Sequence, residues 1–379
     1  MLRASERSRT IFVVTLMAAM APLAAGIVFF GYRAAQVALL SIGACVVLEG
    51  LWFRATRTPA MFGRSHAILT GTLLALTLPP FVAWYVPLVA AAFAIIVGKA
   101  VFGGVGHFLW QPALVGRLAA SAMFGMALSP AFWPVLSPSN VITGDVRACR
   151  KPAAYRGWTQ ASELPSGTPG YLLERPVAKL RVLGSDRDPR YGSLSEALLD
   201  LPEIRELLFG ATGGGIGETS IIVILVAGMY LIYRHYVHWA LPASMIAAAA
   251  VTAAIAPVHL AGPGETVRVL WLPFTAEGLD VGLTFVSYHL VGGELVLAAM
   301  FLAPEMTSRP VTRMGQVLFG VGCGSLGMLL QLYAVFPLSF YIAVLVMNTF
   351  TPVLERITRP RVFGKRWWVW RLIARHGGN

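Results

Sequence analysis

"VGKAVFGGVGHFLWQPALVGR", residues 97–117, sets one lysine and a run of glycines inside a long apolar region and closes on Gln111-Pro112-Ala113. Four of the nine positions from Gly98 to Gly106 are glycine. Glycine weakens a helix because its backbone has more freedom to lose and no side chain to pack. Its density beside Lys99 therefore poses a question about the backbone, and the solvent around the segment decides the answer. The chain has 379 residues, of which 56% are hydrophobic and 13% charged. Its mean hydropathy of +0.68 is that of a protein facing lipid over most of its surface.

A bilayer crossing takes about 20 apolar residues as helix. Five segments qualify before the first long polar stretch, near 11–31, 34–53, 67–83, 84–101 and 112–131. Five more follow it, near 219–234, 239–258, 281–303, 315–333 and 335–354. The sequence thus predicts an all-α, polytopic membrane protein of about ten transmembrane helices. Its expected parts are a first membrane half (1–136), an extracytoplasmic loop (137–215), a second membrane half (216–355) and a basic tail (356–379).

Lysine and arginine collect on the cytoplasmic side of short loops. With a cytoplasmic N-terminus, sixteen of the 30 basic residues fall in inside segments, and only Arg33 and Arg268 fall in short outside loops. Both termini are therefore expected in the cytoplasm, with the chain in the cell inner (cytoplasmic) membrane. The net charge of +12 then reflects topology, and the basic tail is read as lying on the inner leaflet, with no nucleic-acid partner. The basic, apolar N-terminus is expected to be an uncleaved first helix, since its apolar run is long and a second span follows almost at once.

Two sets of five spans around an external loop enter the membrane from opposite sides, which is the parity of an inverted repeat. The third span of each half is interrupted, by Pro79 and Pro80 in the first and by Pro304 in the second. Within the loop, "SLSEALLDLPEIRELLFG" (193–210) reads as an interfacial helix kinked at Pro202. Ser193 and Glu196 form its capping box, and Leu194, Leu198, Leu201 and Leu208 its apolar face. Cys45 and Cys323 fall inside spans and Cys149 in the loop; with no CxxC pair, no metal site is expected and the two span cysteines are read as packing residues.

At membrane depth, non-helical backbone is tolerated only where protein or a cavity covers it. Gly103, Gly104 and Gly106 therefore imply a tight turn beside another surface. Lys99 would seek a phosphate, a carboxylate or helix C-terminal carbonyls, or else snorkel to the membrane surface. Two intramembrane acids are candidates for an ion pathway: Glu218, which opens the sixth span and could also cap it, and Glu294, after Gly292-Gly293 in the broken eighth and near His289. Glu49, near the inner end of the second span, reads as a snorkelling side chain, and His107 as a turn histidine.

"GKAVFGGVGHFLWQPALVGR" resembles the G-K-x-x-F-G-G-x-G-x-N-x-F-N-P-A segment of the RnfD/NqrB family. That family holds the D subunit of Rnf electron-transport complexes and the B subunit of the sodium-translocating NADH:quinone reductase. "GGGIGETS" (213–220), "RPVTRMGQVLFGVGCG" and "VMNTFTPVLERITRPRVFG" resemble further motifs of the family in the same order, from about Thr70 to Gly364. The short N-terminal arm is more similar to the Rnf subunit. The resemblance implies a fold similar to urea and ammonium channels. It also implies a flavin-carrying subunit of a redox-driven ion pump, with FMN or riboflavin as cofactor. Iron-sulfur and flavin subunits, Na+ or H+, and a flavin transferase would be its partners. Lys99, Phe102, Gly103, Gly104 and Gly106 would line the flavin, with His107 as a further neighbour of flavin or quinone. Phe108 and Gln111 depart from the pattern, since the family usually has Asn at both. The family's covalent FMN acceptor, a threonine in S/T-G-A-T, has three counterparts here: Thr168 in "LPSGTPGYLLE", Thr212 in "LFGATGG" and Thr143 in "VITGDVRA". None completes the motif, so attachment at one of them and a flavin held without a covalent bond both stay open. The resemblance assigns no catalytic residue. A channel or transporter of the same broken-helix architecture, without redox chemistry, is the alternative reading.

The charge asymmetry yields a first prediction. A membrane-impermeant thiol reagent added to intact spheroplasts should label Cys149, while a cysteine placed after Arg356 should react only once the membrane is opened. Labelling of Cys149 confined to inverted vesicles would reverse the orientation.

Overall fold

The computed structural model describes residues 8–57, 65–80, 82–104, 106–125, 128, 180, 192–199, 201, 204–209, 214–261, 267–334 and 338–358. Thr143, Cys149, Thr168 and Thr212, and with them most of the expected external loop, lie outside the described residues. The chain is mostly helical. α1 (Ser8–Phe30) and α2 (Tyr32–Thr56) form a long pair separated by Gly31, whose φ of 74° no branched residue would adopt readily. α3 (Ser65–Thr77) stops ahead of Leu78-Pro79-Pro80. α4 (Tyr85–Ala92) continues as a π-helical stretch, Phe93–Ala100, and α5 is Pro112–Met123.

The described part of the expected loop holds two short helices, α6 (Leu194–Leu199) and α7 (Ile204–Phe209), and a 3-10 turn follows, Ile216–Glu218. The second run of helices is α8 (Ile221–Tyr233), α9 (Ala240–Ile255), α10 (Pro273–Ala276), α11 (Leu279–Val291), α12 (Leu295–Leu297), α13 (Arg313–Tyr333) and α14 (Ser339–Ile357). A second π-helical stretch, Ala298–Leu302, extends α12.

Four helices, α1, α2, α13 and α14, are long and apolar enough to cross a membrane, and the bent pair Leu279–Val291 with Leu295–Leu302 makes a fifth. Four more apolar helices are shorter: His66–Thr77, Tyr85–Ala100, Ile221–Tyr233 and Ala240–Ile255. The chain is thus a multi-pass membrane protein by length and composition of its helices.

Three expectations need correction. The fold is not purely helical, because β1 (Val258–Ala261) and β2 (Val267–Leu270) pair antiparallel as a hairpin, Val258 opposite Leu270. Val258 and Leu260 of β1 and Leu270 of β2 are buried, while Val267, Arg268 and Val269 are exposed. The break in the eighth apolar segment falls at Gly292–Glu294, ahead of Pro304, with a bend of 58°. Glu294 occupies the N-cap of α12, directly after Gly292 and Gly293. Finally, the interfacial helix is two helices. Ser193 Oγ accepts from Glu196 N at 3.2 Å, whereas Glu196 Oε2 accepts from Gly192 N, one residue before the expected partner. Leu194, Ala197, Leu201 and Leu207 form its buried face, while Leu198 and Leu208 are half-buried.

Lipid tails provide no hydrophobic drive between helices, so small residues that allow close approach carry much of the packing. α9 and α13 show this. A Cβ on Gly320 would lie 2.0 Å from Ser244 Oγ, and one on Gly324 would lie 2.1 Å from Met245 O. Gly116 brings α5 equally close to Ala90 O of α4. Between the two runs of helices, the segment 214–220 threads past α1 and the end of α3. Ile216 N donates to Leu78 O at 2.9 Å, and a Cβ on Gly26 would meet Ile216 O at 2.2 Å.

Gly324→Val should therefore lower stability by about 2 kcal/mol or more, since the backbone carbonyl it meets cannot rotate away. Gly43→Ala in α2, where no atom lies within 4 Å, should be neutral or slightly stabilising. Thermal unfolding midpoints in detergent check the pair, and equal effects at both positions would refute the packing role of the α9–α13 contact.

Candidate functional site

The glycines of the opening segment divide into two jobs. Gly98 serves close approach, because a Cβ there would lie 2.9 Å from Pro112 Cα of α5. Gly103, Gly104 and Gly106 serve conformation: their φ angles are 95°, 96° and 97°, a region that L side chains rarely adopt. A Cβ on Gly104 or Gly106 would meet nothing within 4 Å, so the turn presents bare backbone to open space. The turn starts from the π-helical stretch, where Val101 N donates to Ile96 O at 3.0 Å and Gly104 N to Lys99 O at 3.1 Å. Such widened turns recur at functional sites.

Aromatic and polar groups hold the turn in place. Phe102 is half-buried, edge-on to Trp110 at 5.4 Å, and Trp110 Nε1 donates to Thr349 Oγ1 of α14 at 2.9 Å. His107 is exposed. The two departures from the family pattern have structural roles: Phe108 is buried with its ring 5.6 Å from that of His66, and Gln111 Oε1 caps α5 by accepting from Leu114 N at 2.7 Å.

Lys99 does not snorkel. It is 3% exposed, and its ammonium donates to Glu49 Oε1 of α2 and to His66 Nδ1 of α3, the latter at 3.0 Å. Glu49, read from sequence as a snorkelling residue, is buried as its partner. On the far side of the imidazole, His66 Nε2 lies 3.6 Å from Glu305 Oε1. Glu305 in turn accepts from Thr307 Oγ1 at 2.9 Å and Ser308 Oγ at 3.3 Å. Four elements thus place two acids, an amine and an imidazole in one buried line, and the glycine turn follows directly from the lysine. A cavity lined by Phe12, Leu69, Tyr236, Met300 and Pro304 opens beside Glu305.

Sequence patterning missed His66 and Glu305. The available signal was their isolation: His66 is the one ionisable group in "HAILTGTLLALT", and Glu305 follows the proline that ends a broken apolar segment. The two predicted ion-pathway acids lie elsewhere. Glu218 is buried, closes its own 3-10 turn by accepting from Gly215 N at 2.8 Å, and accepts from the Tyr341 hydroxyl. Glu294 is buried at the α11–α12 break, and His289 Nδ1 meets Gln331 Nε2 of α13 at 2.9 Å. Arg117 ties α5 to the open end of α3 by donating Nε–H to Thr77 O at 3.0 Å, a cationic cap for orphan carbonyls. In the connection between α8 and α9, burial and then Arg313 and Arg309 hold His238 below the ordinary imidazole range. Its neutral Nδ1 accepts from Ala240 N at 3.2 Å.

Removing one member of a buried ion pair leaves the other charge without compensation, at a cost of about 3–5 kcal/mol. Lys99→Met is therefore expected to destabilise strongly, and Glu49→Gln in the same chain should restore at least half of the loss. Unfolding midpoints of the two single variants and the double variant in detergent measure the coupling; additive losses would show that the pair contributes nothing as a pair.

The chain matches the NQR2, RnfD, RnfE family over residues 1–364. It is 28% identical over 358 residues to the D subunit of the ion-translocating oxidoreductase complex of Halorhodospira halophila, covering 94% of this chain and 91% of the relative. The D subunit of the proton-translocating ferredoxin:NAD(+) oxidoreductase complex of Clostridium ljungdahlii is 29% identical over 343 residues, covering 90% and 87%. The D subunit of the Na(+)-translocating ferredoxin:NAD(+) oxidoreductase complex of Acetobacterium woodii is 28% identical over 365 residues, covering 96% and 93%. With the family model matching residues 1–364, nearly the whole chain, the chain belongs to the NQR2, RnfD, RnfE family.

Proposed function

We propose that this protein is the D-type membrane subunit of a redox-driven, ion-translocating oxidoreductase complex, and that it carries a flavin. The observation that carries the reading is the end-to-end similarity to relatives named as the D subunits of such complexes. Their names give no support to a solute channel. In this reading the protein is one stage of an electron path that continues through iron-sulfur and flavin subunits, with Na+ or H+ as the moved ion.

The flavin, FMN or riboflavin, is assigned to the glycine turn. Bare backbone at Gly104 and Gly106 leaves room for a planar ring to lie against main-chain amides. Phe102 and the Trp110 indole supply aromatic surface beside it, and Lys99 contributes from below through the helix that carries the turn. The lysine ammonium is committed to Glu49 and His66, so its effect on a ring there is electrostatic.

The ten spans of the proposal form a 5+5 inverted repeat of the kind found in urea and ammonium channels. Helix packing supports this. In the first half α2 packs on α3 and α4, and α5 on the π-helical extension of α4; in the second α9 packs on α11 and α13, and α14 on α13. α1 packs against α8, and α5 against α14, as equivalents across a pseudo-twofold would.

Purification of the tagged chain from native membranes in mild detergent tests the function. Expected are co-purifying subunits with iron-sulfur absorbance and a flavin band at about 450 nm. A colourless protein without partners would overturn the reading. A phosphoester-linked flavin survives denaturation, so a covalently loaded chain should fluoresce in a denaturing gel. Thr168→Ala should extinguish that signal and Thr212→Ala leave it. A complex that is yellow in solution and dark in the gel would place its flavin against Gly103, Gly104 and Gly106 without a covalent bond.

A further inference from the structure

We infer that Glu305, His66, Lys99 and Glu49 form a buried proton relay running from the cavity beside Glu305 to the base of the glycine turn. Its purpose rests on the proposed function; its parts rest on geometry. The imidazole stands between a group that only donates and a group that accepts. An ammonium has no lone pair, so His66 Nδ1 accepts from Lys99, and the ring proton resides on Nε2, facing Glu305 Oε1 at 3.6 Å. Thr70 Oγ1 is 3.3 Å from Nδ1, but its own proton goes to His66 O at 2.9 Å, which leaves Nδ1 to the lysine. His66 Nε2 has no hydrogen bond in the resting arrangement and faces Glu305 Oε1 across 3.6 Å, so closing that gap completes the line.

The surroundings suit proton movement. Phe12 meets the imidazole edge-on at 4.9 Å and Phe108 lies tilted at 5.6 Å, so two apolar rings keep bulk water from the centre of the line. Two carboxyl side chains, Glu49 from α2 and Glu305 after the π-helical stretch, flank the Lys99–His66 pair from opposite sides. Cys45 of α2 is a further titratable neighbour of Lys99 among the described residues. Glu305 lines the cavity and also touches His66, so it is the port.

The relay moves protons only, between two end states. From the resting state, Lys99 gives an N–H proton to the bare Nδ1, and the ring gives its Nε2 proton to the Glu305 carboxylate. Two N–H bonds break, and one N–H and one O–H bond form. Lys99 is left as a neutral amine, the imidazole carries its proton on Nδ1, and Glu305 releases its new proton to the cavity. The return runs in reverse. Glu305 takes a proton from the cavity and passes it to the now bare Nε2, and the resulting imidazolium gives its Nδ1 proton to the Lys99 amine. The ring regains its starting tautomer without a flip. Negative charge arriving at the turn favours the ammonium and draws a proton in from the cavity; its departure sends one out.

Two measurements test the relay. In 15N-histidine NMR of the bilayer-reconstituted complex, the signal lost in His66→Gln should be that of an Nε2–H tautomer. Lys99→Met should shift its Nδ1 resonance and Glu305→Gln its Nε2 resonance. An Nδ1–H tautomer in the resting complex, or resonances unmoved by either variant, overturns the relay whatever the complex does. In turnover, His66→Ala should lose at least about tenfold in redox rate. Added imidazole should restore part of that rate, and 1-methylimidazole, of similar shape but without the ring N–H, should not. Glu305→Gln, which leaves His66 in place, should slow turnover likewise. Wild-type rates in both variants, or equal rescue by both compounds, overturn the relay. A wild-type complex with no redox turnover would instead overturn the proposed function, and the tautomer measurement would then decide the relay by itself.

Discussion

A lysine in the middle of an apolar bundle is tolerable only if a counter-charge reaches it, since the desolvation of an isolated ammonium costs more than any helix contact returns. Lys99 finds that counter-charge fifty residues earlier in the chain, on α2. The pairing requires the C-terminal ends of α2 and of the π-helical stretch to lie side by side, with the start of α3 between them to supply His66. Glu305 brings the second run of helices to the same point. Much of the arrangement at this end of the molecule follows from the need to keep four ionisable groups satisfied where water is scarce.

The π-helical stretch gives the pair its geometry. An extra residue per turn rotates the side chains that follow relative to a regular α-helix. It delivers Lys99 to the interior and lets the chain leave the helix immediately afterwards through three residues with positive φ. Those glycines have no close neighbour to avoid, unlike Gly98, Gly116, Gly320 and Gly324, which are pressed against backbone or side chains of other helices. The same residue type thus meets two separate constraints: absence of Cβ for approach, and freedom of φ for the turn. Only the second leaves an exposed strip of main chain on which a ligand can rest.

Hydropathy periodicity and length marked the positions of nearly all the helices, because lipid exposure demands apolar residues wherever a segment crosses. Two end signals were also readable, Pro79-Pro80 after α3 and Gln111-Pro112 at the start of α5, whereas the bend expected at Pro304 falls at Gly292–Glu294. The site was legible in part. Lys99 and its glycines stand out as a charge and a backbone irregularity inside apolar sequence, and Glu218 as an acid at a helix start. Glu49 was visible but misread, since a carboxylate near a helix end looks the same in sequence whether it turns to the surface or inward. The hairpin at 258–270 was hidden by its shortness, two strands of four residues each.

The sequence by itself determined that the chain lives in a membrane, where its apolar segments lie and which family it resembles, because each of those is a property of local composition or of contiguous motifs. Only the tertiary structure decided that Glu49, His66, Lys99 and Glu305 form one line. They are separated by seventeen, thirty-three and more than two hundred positions, and no local preference encodes which helix ends meet. That meeting is fixed by packing of glycine-lined helix faces and by the high cost of leaving any of the four groups buried and unpaired.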